Sequence, residues 1–227
     1  MKRFVVLALF VVNSIGVSAF VVDPVDASEP DLETILARHA AALGGEARQA
    51  IDRLELTGIY AYNGLEHPLR EHRVRPDWIR REIDGIQQYG PQRSAGDVQV
   101  RAHGPRGAWV GGADGSEPMT AENTASFLVF ADFDSALVAV DGTAREVELV
   151  GTETLDGTEV IHLRRTRDGG EVEQWWLDAT TYLPVRAAIP EAADITRPHT
   201  WHFDDWRDVG GIKLPFYVMS EEKIFSR

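Results

Sequence analysis

The side chains able to do chemistry are few, and they lie far apart along the chain. His199 and His202 are three positions apart. On a strand that spacing sends them to opposite faces, so they cannot easily share one metal. Two edge-strand histidines near solvent is the plainer reading. His72 and His103 have polar neighbours, and no carboxylate stands at a spacing that implies a triad. Asp132-Phe133-Asp134 is a carboxylate pair that could hold a cation or act as acid and base, although a loop after a helix is acidic for many reasons. The Arg-rich stretch from Arg70 to Arg81 could attract an anionic head group, but charges on alternate strand positions ordinarily make a solvated face. No P-loop, no G-x-G-x-x-G after a strand, no G-x-S-x-G and no H-E-x-x-H occurs. Cysteine is absent, which excludes disulfides, thiolate zinc sites, iron–sulfur clusters and a Cys nucleophile. No cofactor and no metal is expected. A hydrolase would need His and Asp groups brought together by the fold.

The aromatic inventory points away from catalysis. The chain has six tryptophans, Trp78, Trp109, Trp175, Trp176, Trp201 and Trp206, each in a segment that reads as a strand. Trp175 and Trp176 are adjacent and must face opposite sides of a sheet. Trp201 and Phe203 share a face, with Trp206 on the other. A sheet with bulky apolar groups on both faces must have both covered. Helices over one face leave either a packed core or a cavity beneath them.

The elements that position these side chains follow from periodicity. Ser28-Glu29-Pro30-Asp31 opens a helix with Ser28 as its cap, and Leu32, Ile35, Leu36, Ala40 and Leu43 recur at helical spacing. Gly44-Gly45 closes it, and a shorter helix is expected from Glu46 to Asp52. The period then changes to two. Leu54, Leu56, Gly58, Tyr60 and Tyr62 share one strand face, opposite Glu55, Thr57, Ile59 and Ala61. Further strands are expected at 66–75, 78–84, 97–103 and 107–110, then at 145–151, 159–165, 171–178, 183–189, 199–208 and 214–221. A helix capped by Thr120 and running to Phe130 interrupts them. Asp156-Gly157, Asp168-Gly169 and Gly210-Gly211 are turn dipeptides, and links this short imply antiparallel neighbours. The fold class is therefore α+β: a curved, unclosed antiparallel β-barrel of about eleven strands covered by a few helices.

Composition sets the outer limits. The chain has 227 residues, and 23 basic against 36 acidic residues leave it at −13. An acidic surface repels phosphate backbones, so nucleic acid is not an expected partner. Lys2 and Arg3, the apolar run Phe4 to Val12 and the small residues Val17-Ser18-Ala19 read as a secretory signal, with cleavage expected after residue 19 or residue 27. An uncleaved anchor from Phe4 to Val22 is the competing reading. Residues 28–227 are then a single domain, and an exported chain without Cys fits a bacterial periplasm.

Several local signatures occur in a telling order. They are Ala42-Leu43-Gly44-Gly45 followed by Ile51, Leu54 and Gly58; Arg75-Pro76-Asp77-Trp78-Ile79-Arg80; Gly107-Ala108-Trp109; Pro118-Met119 through Phe133; Val147-Glu148-Leu149-Val150-Gly151; Trp176-Leu177-Asp178; and Phe203-Asp204-Asp205-Trp206 through Pro215-Phe216. The ordered set, spanning about Pro30 to Lys223, resembles the outer-membrane lipoprotein-sorting family, which includes the periplasmic lipoprotein carrier of the Lol pathway. The resemblance implies an unclosed antiparallel barrel with helices as a lid over an apolar cavity for acyl chains. It also implies a carrier rather than an enzyme, with lipid or lipoprotein acyl chains as ligand and a membrane donor or acceptor protein as partner.

The residues expected to line such a cavity are apolar: Leu54, Leu56 and Tyr60 from the first strand, Trp78 and Trp109 from the next group, Phe127 and Phe130 from the mid-chain helix, and Leu149, Leu163, Trp175, Trp201 and Phe203 from the second half. Alternation groups them into facing sets but does not say which set faces inward. A protein-interaction or stress-sensing module on the same fold is the alternative function, with an exposed apolar patch or sheet edge in place of an enclosed site.

Overall fold

The computed structural model describes residues 30–62, 64–85, 98–112, 115–128, 134–138, 145–167, 169–191 and 194–221. The signal segment, Ser28, Phe130, Asp132 and Phe133 lie outside them.

Helix α1 (Leu32–Ala42) starts one turn later than its sequence signal suggests: Asp31 is the cap, and its carboxylate accepts a hydrogen bond from the Thr34 amide at 2.8 Å. Ile35, Leu36 and His39 form its buried face. Leu43 is its C-cap, and Gly44 leads straight into α2 (Gly45–Gln49). Only glycine suits that link. Its φ is +121°, and a Cβ there would lie 2.6 Å from the Gly211 carbonyl oxygen and 2.9 Å from Ile212 Cα.

Six strands follow: β1 (Arg53–Tyr62), β2 (Leu65–Val74), β3 (Trp78–Asp84), β4 (Val98–Gly104), β5 (Gly107–Gly112) and β6 (Gly115–Pro118). They pair in sequence order as an antiparallel sheet. Strand β6 is the one not expected from the sequence. Its four residues, Gly-Ser-Glu-Pro, are all exposed and offer no apolar alternation to read. Helix α3 (Ala121–Leu128) comes next.

A second six-stranded antiparallel sheet holds β7 (Val147–Leu155), β8 (Thr158–Thr166), β9 (Val172–Asp178), β10 (Pro184–Glu191), β11 (Asp194–Val209) and β12 (Ile212–Glu221). The tight turn between β7 and β8 is Asp156-Gly157, both at positive φ (51° and 86°), the geometry whose twist suits a two-residue hairpin. The twelve described strands thus divide into two meanders, neither of which closes on itself. The expected α+β class and unclosed antiparallel architecture hold.

The main core lies where α1 meets the second sheet. Ile35, Leu36, Leu137, Val138, Ile161, Leu163, Trp175, Leu177, Ala187 and Ile189 form one buried cluster. The first sheet has a smaller one, in which Phe127 of α3 packs on Ile79 with Met119 and Leu128 around them.

Candidate functional site

Directly paired residues of antiparallel strands project to the same side, so the register defines what each helix covers. On the first sheet the reference is Ile79, which α3 covers through Phe127. One row through Ile79 pairs it with Arg73 of β2 and His103 of β4, and Arg73 in turn with Leu54 of β1. The next row on that side runs Leu56, Glu71, Arg81, Arg101, Val110, Glu117, one residue from each strand. Tyr60 pairs with His67 further along the same side. Leu54, Leu56 and Tyr60 therefore do lie together on the covered face, and all three are half-buried.

That face is not purely apolar, and sequence reasoning missed this. Glu71 is only 3% exposed and is held by two arginines. Arg73 donates to its Oε1 and Arg81 to its Oε2, each through Nε at 2.6 Å. Burial pushes the Glu71 carboxyl up, but Arg81 and Arg73 outweigh it and hold it below the ordinary glutamate range. Arg81 also lies over the Phe127 ring, its Cζ 5.5 Å from the centroid. Arg101, directly across from Arg81, has its proton affinity lowered by burial and by the Arg81 charge, with Tyr60 acting in the opposite direction. One signal was present in the sequence: Glu71, Arg73 and Arg81 belong to the Arg-rich stretch and share the alternation phase of Leu69, Ile79 and Ile83.

The second sheet is a different environment. Leu163 pairs with Leu149 on β7 and Trp175 on β9, Trp175 with Ala187, and Ala187 with Trp201. Phe203 stacks on Trp175 with ring centroids 6.1 Å apart. The Trp175 indole N–H donates to the buried Glu173 carboxylate at 2.8 Å. Leu163 and Trp175 are buried with α1 residues, and Leu149, Trp201 and Phe203 pack against that cluster. The five second-half residues are thus brought together, as a packed core beneath α1.

Two expected lining residues lie elsewhere. Trp78 is 45% exposed and adjoins Ile79 in β3, so it projects to the side away from α3. Trp109 pairs with Ala102, which pairs with Arg80, and this places it on that outer side too. Alternation had separated the two faces correctly without saying which was covered. Trp206 also departs from simple alternation: Asp205 takes a left-handed φ of 52°, and the Trp206 ring comes to 6.5 Å from Phe203.

Two polar latches hold the segment after α3. Arg75, in the turn between β2 and β3, donates to both Asp134 carboxylate oxygens at 2.7 Å. It also donates to the carbonyls of Ile51 and Arg48, beside α2. His39 is fully buried, with Nδ1 2.8 Å from the Tyr182 carbonyl and Nε2 2.6 Å from Ser135 Oγ. A carbonyl can only accept, so Nδ1 carries the proton and Nε2 accepts from the hydroxyl. Burial drives the His39 pKa down to about 4. This is the His–Ser contact a hydrolase would need, but the ring is sealed beneath α1, and Ser135 Oγ is already occupied by the Leu137 amide at 3.0 Å. Among the described residues no group of three or more His, Asp or Glu side chains could hold a metal ion, and no helix is long and apolar enough to cross a membrane. His202 sits near Glu221 at 3.2 Å, and His199 near Trp201.

No family model matches the chain, and no curated protein matches it. Solved structures do. A LolA-superfamily protein from Nitrosomonas europaea superposes with a TM-score of 0.52 at 14% identity, covering 82% of this chain and 87% of its own. The fold is similar to that of this LolA-superfamily protein. An outer membrane lipoprotein-sorting protein domain from Vibrio parahaemolyticus reaches a TM-score of 0.48 at 12% identity, over 82% of this chain and 83% of that one. A DUF1329 family protein from Desulfovibrio piger gives 0.42 at 16%, over 82% and 85%. The LolA-like architecture agrees with the resemblance read from the ordered signatures.

Proposed function

We propose that this chain is an exported, periplasmic, non-catalytic carrier that holds a hydrophobic ligand, lipoprotein acyl chains or another lipid, against the first sheet. The observation that carries this reading is the unequal covering of the two sheets among the described residues. The second sheet is sealed by α1 through a ten-residue buried cluster. On the first, the apolar strip Leu54, Leu56 and Tyr60 remains half-buried on the side that α3 covers. The fold shared with a LolA-superfamily protein supports the same direction. Each buried CH₂ contributes ~0.8 kcal/mol, so a single acyl chain lying along such a strip could be carried through water.

Native mass spectrometry of gently purified protein, together with uptake of an apolar fluorescent probe, tests this. A lipid-mass adduct and saturable uptake are expected. Neither adduct nor uptake would remove the carrier reading.

A second reading has its own observation. Among the described residues, strand β12 is the outer strand of its sheet and pairs with β11 alone, and Phe216, Tyr217, Val218 and Met219 along it are all exposed. An edge of this kind suits addition of a partner's strand, as in an interaction or sensing module. Recovery of one stoichiometric protein partner without lipid would favour it over the carrier.

A further inference from the structure

The buried face of α1 carries two apolar side chains, Ile35 and Leu36, and one titratable ring, His39. That ring joins the helix to two segments remote in sequence. Nδ1 donates to the Tyr182 carbonyl in the turn between β9 and β10, 143 positions away, and Nε2 accepts from the Ser135 hydroxyl, 96 positions away. Leu137 and Val138, just after Ser135, are buried in the same cluster as Ile35 and Leu36. Helix, turn and the 134–138 segment therefore meet at a single imidazole.

We infer that His39 is an acid-operated catch: when its ring takes up a second proton, α1 and residues 134–138 part from the second sheet as one unit and bring Leu163 and Trp175 within reach of solvent. The catch works on the second sheet and does not depend on the carrier reading.

The neutral ring matches its surroundings donor to acceptor. Ser135 Oγ donates to Nε2 and accepts the Leu137 amide at 3.0 Å. A second proton turns Nε2 into a donor, so two hydrogens point at each other across that contact. The hydroxyl has to swing its hydrogen away, at a buried site where an unpaired polar group is costly. Among the described residues the new charge meets no waiting anion. On α1 itself Glu33 and Arg38 are exposed, and Arg38 donates to the Tyr182 hydroxyl with its Cζ 5.3 Å from that ring's centroid. Burial holds the His39 pKa down to about 4, outweighing the Tyr182 carbonyl, and the Arg48 charge from α2 acts in the same direction as burial. Asp134, beside Ser135, gives both carboxylate oxygens to Arg75. Asp178, where the β9–β10 turn begins, accepts the Thr180 and Thr181 amides. The strands beneath contribute Ile161, Leu163 and Leu177, which are apolar. The charge is relieved by bringing the ring into water, and the ring moves only with its helix.

The test is native-state hydrogen exchange of the full chain at about pH 6.5, 5.5 and 4.5 over a low urea series, each rate referred to its intrinsic value at that pH. Peptides covering residues 32–42 and 134–138 are expected to share one opening constant that rises about tenfold per pH unit, the response to one proton. At the lowest pH that constant should exceed the one for β3 by about tenfold or more. It should also depend less steeply on urea, since a partial opening exposes less surface than complete unfolding. In His39→Gln, which cannot take up the proton, the rise should be lost. An opening constant flat with pH would overturn the catch. So would α1 and 134–138 opening separately, or opening only with β3 and with its urea dependence, because His39 would then act through global unfolding alone. A rise that persists in His39→Gln would assign the response to another group and overturn it as well. Where that variant fails to fold, nitrogen-15 NMR of the native chain with labelled histidines decides. One ring protonated on Nδ1 and still neutral at about pH 5.5 is expected, and all seven histidines titrating together near the ordinary value of about 6.5 would overturn the assignment.

Discussion

Arg75 and Asp134 form a two-pronged ion pair: both terminal nitrogens of the guanidinium reach separate carboxylate oxygens at 2.7 Å. The pair ties the turn between β2 and β3 to the segment that follows α3. The same guanidinium reaches the Arg48 and Ile51 carbonyls near α2. One side chain thus joins three pieces of chain that are far apart in sequence.

Removing either partner should therefore destabilise more than an exposed pair would. Arg75→Ala and Asp134→Ala are each expected to cost about 1.5–3 kcal/mol, the range for hydrogen bonds to charged groups. Urea unfolding of both single variants and the double variant measures the coupling. A coupling energy indistinguishable from zero would show that the contact holds nothing.

His39 predicts a pH dependence with a definite sign. Its folded pKa, about 4, lies below the ordinary 6.5 because burial disfavours the charged ring. Between those values the unfolded chain binds more protons than the folded one, so stability must fall as pH drops from about 6.5 toward 4. The loss attributable to this residue is on the order of 3 kcal/mol. Comparing urea stability of the native chain and His39→Gln at pH 7 and pH 4.5 isolates it. The variant should start lower and decline less.

Glu71 predicts a large penalty from a small change. Glu71→Gln keeps the shape and removes the charge that Arg73 and Arg81 share. Removing the charge of one buried member of an ion-pair network costs about 3–5 kcal/mol. The Glu71 carboxyl is held below its ordinary pKa in the fold, so its contribution is present above about pH 4.5 and lost as pH falls through the folded value. Thermal unfolding at pH 7 and at pH 3 should show the native and variant chains converging at the lower pH.

Two leucines separate core from ligand face. Leu163 is fully buried in the second sheet, and Leu163→Ala should cost about 2–5 kcal/mol of stability with little effect on probe affinity. Leu56 is half-buried in the first sheet, and Leu56→Ala should weaken apolar probe binding roughly tenfold with a smaller stability loss. The reversed pattern would move the ligand to the second sheet.

Gly44 is a strict backbone position. An added methyl group would meet the Gly211 carbonyl at 2.6 Å, on backbone that cannot swing aside, and φ is +121°. Gly44→Ala should separate the α1–α2 junction from β12, where Lys213 N–H donates to the Leu43 carbonyl at 3.1 Å. Hydrogen exchange at Lys213 should quicken markedly in that variant.

By itself the sequence determined the elements and their faces. A period of two is imposed by the pleat, so Leu54, Leu56 and Tyr60 had to share a side, and Trp175 and Trp176 had to part. Turn dipeptides such as Asp156-Gly157 fixed antiparallel neighbours, because only a few residue types take left-handed backbone cheaply. What alternation cannot hold is which of two faces is covered, since that depends on where a distant helix lands. Trp78 and Trp109 were apolar enough to line an interior, yet α3 settled on the opposite side, over Ile79. The pairing of Arg81 with Arg101, and the division of the twelve described strands into two sheets, likewise came from register between segments that no local pattern relates. Local sterics are written in the order of residues; long-range pairing is decided only when the whole chain competes to bury its apolar surface.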